Sequence, residues 1–201
     1  DYYPYMSTLY IQANAGNNGV WNGSLTAGGN LGVSAGDMTN NGTLAASGNT
    51  QLTTQKLTNG GLIQAQGTQT LNASELNNSG KMQSGGEQDI TASTLSNQGL
   101  IGSQQGLGLQ VADQMTVGEQ GSLFAGDRLN IGGGQMIVDG TLTGKNGMTL
   151  NSTSLNAGQN SLITSLGDIQ FTAAQQTLGG QLSTSGNVGL NATDLSVGAQ
   201  G

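Results

Sequence analysis

Large aliphatic residues recur along the first half of the chain on a fixed beat. Leu25, Leu44, Ile63, Met82 and Ile101 stand nineteen residues apart. Each is preceded two positions earlier by a glycine (Gly23, Gly42, Gly61, Gly80, Gly99) and followed two positions later by a small residue (Ala27, Ala46, Ala65, Ser84, Ser103). A second apolar column runs Val33, Leu52, Leu71, Ile90 and Leu109, and a third Met38, Leu57, Leu76, Leu95 and Met115. Two positions after the first four members of the third column comes an asparagine: Asn40, Asn59, Asn78 and Asn97.

Within one unit the apolar positions alternate, as in Leu31, Val33 and Ala35, which is strand and not helix periodicity. The intervening segments are rich in Gly, Asn and Ser, with Asn-Gly at Asn22, Asn41, Asn59 and Asn146, and these are turn signals. Each unit therefore predicts three short strands separated by corners, where Gly and Asn tolerate positive φ. One unit alone cannot bury its few apolar side chains. Stacked units pair each strand in parallel with its copy above and below, which predicts an all-β parallel β-helix. Leucine-rich repeats would need a denser leucine block, calcium-binding nonapeptides a Gly-Gly-x-Gly-x-Asp run, and hairpin arrays paired strands about ten residues apart.

The beat slips once and resumes. About three extra residues fall around the stretch QMTVGEQG, after which the pattern continues at Leu123 with Ala125, Leu142 with Gly144, Leu162 with Thr164 and Leu182 with Thr184. The second column is carried on by Ile131, Leu150, Ile169 and Leu190. This gives about nine coils of 19–22 residues over 22–201, an irregular insertion near 110–121, and an entry or cap-like segment at 1–21. Nine coils at ~4.8 Å each make a rod of roughly 43 Å. The asparagine column is expected to be a structural ladder, each amide bonding the next.

Composition narrows the function. Of 201 residues only 3% are aromatic and 7% charged, against 36 glycines and one proline, so regular stacking rather than a large core must offset the chain entropy. The net charge of −7 comes from eleven scattered acids and four bases, Lys56, Lys81, Arg128 and Lys145, which leaves neither a basic footprint nor stacking platforms for nucleic acid. The absence of cysteine excludes disulfides and thiolate metal sites, and suits an exported chain. No apolar run has the ~18 residues that suggest a membrane span, and the start DYYPYMSTLY lacks signal-peptide character, so the chain is expected to be a segment of a longer protein.

The unit NNGTLAASGNTQLTTQKLTN, followed by NSGKMQSGGEQDITASTLSNQG, resembles the haemagglutinin repeats of filamentous haemagglutinin and of the exoproteins of contact-dependent inhibition systems. The resemblance implies a right-handed β-helical rod in a large protein of Gram-negative bacteria. Such a protein is secreted to the cell surface by an outer-membrane two-partner secretion transporter and serves cell adhesion, virulence or toxin delivery.

Chemistry is sparse. There is no histidine, which removes the commonest general base and most transition-metal sites. Glu87 with Asp89, and Asp127 and Arg128 with Asp139, are the carboxylate groupings that a polysaccharide-active enzyme would require. They fit a solvated surface better, and no enzyme, cofactor or metal is expected. Gly132, Gly133 and Gly134 lack the context of a phosphate loop and predict a turn. Asn-x-Ser/Thr sequons at Asn22, Asn41, Asn72, Asn77, Asn151 and Asn191 are expected by chance in so Asn-rich a chain. Two places are candidates for binding a cell-surface receptor or glycan. One is the aromatic start, with Tyr2, Tyr3, Tyr5 and Trp21, for which cap or core packing is the competing expectation. The other is the insertion, with Val117 and Glu119.

Overall fold

The computed structural model describes residues 7–12 and 19–198, so Tyr2, Tyr3 and Tyr5 lie outside the described residues. All described pairings between strands are parallel and link one coil to the next. Four-residue strands such as Thr43–Ala46, Leu62–Ala65 and Lys81–Ser84 stack into a nine-stranded sheet. Opposite them, strands of ten or eleven residues such as Thr50–Asn59, Gln69–Asn78 and Arg128–Val138 stack into a thirteen-stranded sheet. The chain is a β-solenoid of about ten turns.

The expected second and third strands of each coil are continuous over most of the solenoid. In Thr50–Asn59 the residues point alternately inward and outward until Gln55 and Lys56, where two exposed residues follow one another and reset the alternation. That reset bends the strand into two arms without breaking the ladder, so Leu52 and Leu57 both face the interior. Pairing also begins earlier than the expected boundary at residue 22. Thr8–Gln12 pairs with Asn30–Ser34, and Gly19–Trp21 pairs with Asp37–Asn40, so part of the supposed entry segment is itself a coil.

The interior is a set of columns, one residue per coil. Leu44, Ile63, Met82, Ile101, Leu123 and Leu142 line the short wall, and Leu57, Leu76, Met115 and Met136 line the far arm, all fully buried. A buried aliphatic side chain contributes roughly 1.5–3 kcal/mol, and here every one lies on a chemically similar neighbour in the next coil. Two assignments made from spacing are corrected by the pairing. Leu142 lies opposite Ile163, which is 1% exposed, and not opposite Leu162, which is 38% exposed. Leu150 lies opposite Phe171, while Ile169 belongs to the neighbouring column under Met148.

Three insertions explain the long coils. Ala112 and Asp113 form a bulge that shifts register between Val111 and Gln114, and 118–121 widens a corner. A second widened corner at 158–161 went unseen in the spacing. Each closes as a turn, Gly121 N donating to Gly118 O at 2.8 Å and Ser161 N to Gly158 O at 3.0 Å. Gly132, Gly133 and Gly134 are not a turn but lie within Arg128–Val138, beside that bulge. A Cβ on Gly133 would lie 1.8 Å from Val111 O, and its φ is +138°, so only glycine fits there.

The repeated corner glycine has a different cause from the one expected. Among the described residues no non-glycine adopts positive φ, and positive φ is confined to Gly133, Gly147 and Gly198. Gly61 and Gly80 are required by close approach: a Cβ on either would lie 2.1 Å from the carbonyl oxygen of the equivalent glycine one coil before. That same oxygen accepts the backbone N–H that starts the next short strand, as Lys81 N to Gly61 O at 2.8 Å.

Candidate functional site

The asparagine column is a buried chain of amides. Asn40 Nδ2 donates to Asn59 Oδ1, Asn59 Nδ2 to Asn78 Oδ1, and Asn78 Nδ2 to Asn97 Oδ1, each at 2.9 Å. Each donating nitrogen also reaches a main-chain oxygen of the following coil, Leu62 O, Lys81 O or Leu100 O, at 3.1 Å. The terminal Asn97 gives its amide to Ser122 O at 3.0 Å. Neutral amides satisfy one another in this way without charge, so a polar column in a thin core carries no large desolvation penalty. Beyond Asn97 the same interior position is held by Val117, Val138, Ala157 and Leu178. Val117 is therefore a fully buried core residue and not part of a protruding loop.

A second amide pair was missed in the sequence, because glutamine in a strand normally signals solvent. Gln69 Nε2 donates to Gln88 Oε1 at 2.8 Å, and Gln88 Nε2 to Gly102 O at 2.8 Å, with both side chains fully buried. The signal was present: Gln69 and Gln88 are nineteen residues apart and two before Leu71 and Ile90. Their column also turns apolar in the second half, through Leu107, Leu129, Met148 and Ile169.

Trp21 occupies the ladder position above Asn40. Its ring is half-buried against the core, and its Nε1 donates to Thr43 O at 3.2 Å. Glu119 is exposed on the first widened corner and accepts a hydrogen bond from Asn160 Nδ2 of the second at 3.1 Å. The two turns thus meet over the tight corner of Asp139 and Gly140 between them.

The carboxylate groupings do not converge. Asp127 and Asp139 flank the eleven-residue strand Arg128–Val138. At about 3.3 Å per residue, even bent, that strand holds them far beyond the roughly 5–9 Å of a glycosidase pair. Asp127 instead accepts from Asn146 Nδ2 at 2.9 Å, and Arg128 donates to Thr149 Oγ1 at 3.4 Å. Glu87 and Asp89 are exposed. Among the described residues no group of three His, Cys, Asp or Glu side chains is placed to hold a metal ion.

A family model, the haemagglutinin repeat, matches residues 8–83, 83–115, 111–173 and 165–201. No curated protein and no solved structure gives a significant match.

Proposed function

The chain belongs to the haemagglutinin-repeat family, and on that premise we propose that it is a stalk: a rod-like segment of a large surface exoprotein, an adhesin or contact-dependent inhibition effector. The observation that carries this reading is the continuity of the interior columns, which run from coil to coil without a cleft between them. Such a rod spaces and presents whatever the parent protein carries. The parent would cross the outer membrane unfolded through a two-partner secretion transporter, and each coil would template the next as it emerged. No helix among the described residues is long and apolar enough to cross a membrane.

A second reading assigns recognition of a cell-surface receptor or glycan to this segment itself. The stacked turns at 118–121 and 158–161, joined through Glu119 and Asn160, favour it, because turns raised on a rigid scaffold are where binding is commonly grafted. Binding of the purified, folded chain to host and bacterial cells, with a glycan array alongside, separates the two. A stalk gives no saturable binding. Saturable binding lost in Trp21→Ala or Glu119→Ala would make this a recognition segment and overturn the passive role.

A further inference from the structure

The outer face of the nine-stranded sheet differs from the rest of the surface. Its nine four-residue strands contain one charged residue, Lys81, although the chain carries eleven acids and four bases. Among the described residues the acids lie on the long sheet and at the corners, as at Asp37, Glu75, Asp89, Glu119 and Asp139. On a chain of net charge −7, this strip is the face along which two copies approach with least repulsion.

The strip also carries a knob beside a hole. The outward row at the third position of each strand runs Gln64, Gln83, Gly102, Phe124 and Thr143. Gly102 is the smallest residue of that row and is itself buried, with Leu100 Cδ1 3.6 Å from where a Cβ would stand, and Phe124, half-buried, stands next to it. Together with Gln64, Gln83, Leu100 and Gln104 they line an open groove of about 640 Å³.

We propose that two copies of this chain pair side by side and head to tail through this face, Phe124 of each seating over Gly102 of the other. The two-fold axis would lie in the interface, parallel to the strands and midway between Leu100–Ser103 and Ser122–Ala125. An isologous contact needs a surface complementary to itself, and a knob and a hole in adjacent register positions provide it. The same operation sets Leu162, exposed at 38%, opposite Leu62 of the second copy. It also sets Lys81 opposite Thr141, so the one charge in the strip meets a hydroxyl. Rods running the same way would instead bring Lys81 toward its own copy. The face, eight overlapping strands of ~13 Å spaced ~4.8 Å apart, covers roughly 500 Å² per copy. That is at the low end of specific interfaces, where association is weak and gains from repetition along a longer rod. The pairing requires only the solenoid; if the stalk is displayed on cells, head-to-tail pairing is the contact that rods from two facing cells would make.

Sedimentation equilibrium of the purified chain tests this, with Gly102→Gln filling the hole and Phe124→Thr removing the knob. A Cβ at Gly102 meets Leu100 and Phe124 at ordinary contact distances of 3.6–3.8 Å. Circular dichroism and an unchanged urea midpoint check both variants. The expected result is a monomer–dimer equilibrium weakened at least tenfold by either. Because the chain has no cysteine, Gln83→Cys mixed with Thr143→Cys should give a disulfide-linked heterodimer, and neither variant alone a homodimer. A monomer at all concentrations, a dimer indifferent to both variants, or linkage of like variants would overturn the proposal. So would a monomer whose groove takes up a neutral oligosaccharide. A monomeric rod would leave the stalk reading intact.

Discussion

Asn97 lies directly opposite Val117 in the pairing of adjacent coils, and the interior changes character in that single step. Before it the column is a chain of amides; after it the column is aliphatic. The bulge at Ala112 and Asp113 and the widened corner at 118–121 fall in the same coil. A ladder of amides demands exact register, because each nitrogen must find both the next amide and a main-chain oxygen. An aliphatic column packs without that requirement, and both widened corners, with their changes in coil length, lie on the aliphatic side.

The ladder predicts a strongly asymmetric response to substitution. Asn78→Ala leaves Asn59 Nδ2 without its amide acceptor and Asn97 Oδ1 without its amide donor, both in a buried column. Asn59 Nδ2 keeps Lys81 O and Asn97 Oδ1 keeps the Gly99 N–H, so each loses one bond and is not orphaned; at about 0.5–1.5 kcal/mol per lost bond the loss should be roughly 1–3 kcal/mol in urea unfolding. Replacing Asn40, Asn59, Asn78 and Asn97 together by valine should cost much less than four times the single change, since no amide of the column then loses a side-chain partner and only main-chain groups such as Lys81 O and Gly99 N lose a bond.

Gly80 and Gly60 make a matched pair. A Cβ on Gly80 would fall 2.1 Å from Gly61 O, whereas one on Gly60 finds nothing nearer than 3.6 Å. Gly80→Ala should therefore destabilise by about 2–4 kcal/mol or prevent folding. Gly60→Ala should be neutral or stabilising by up to ~1 kcal/mol, through the unfolded chain. Thermal unfolding of the two variants side by side checks this.

The contact between the two turns is exposed and should contribute little to stability. A double-mutant cycle with Glu119→Ala and Asn160→Ala should give a coupling under about 1 kcal/mol. A larger value would mean that the paired turns brace the solenoid.

Lys56 Nζ and Glu75 Oε2 lie 3.9 Å apart, with side chains 46% and 49% exposed. Solvent screening reduces such a pair to roughly 0–0.5 kcal/mol. Lys56→Met should leave the urea midpoint almost unmoved at both low and high salt.

Much of this architecture was legible in the sequence, for a physical reason. Where all coils have equal length, residues that stack are separated by a constant spacing, so the columns through Leu44 and Leu57 and the ladder from Asn40 to Asn97 appear directly. Legibility failed where length changed. The two residues added at 158–161 moved the frame, and adjacent apolar residues, Leu162 beside Ile163 and Ile169 two before Phe171, offered two plausible continuations. The side chains themselves do not distinguish these; only the strand pairing does. Gln69 and Gln88 were passed over because burial of glutamine depends on a partner one coil away. The glycine beat was seen, but its cause is a neighbouring carbonyl oxygen, which no local propensity describes.

One nineteen-residue unit is one layer of the rod. Inserting four further copies of residues 62–80 tests it by small-angle X-ray scattering. The solenoid predicts a folded particle of unchanged cross-section, longer by about 19 Å. An unchanged length, a thicker particle or an unfolded insertion would contradict it.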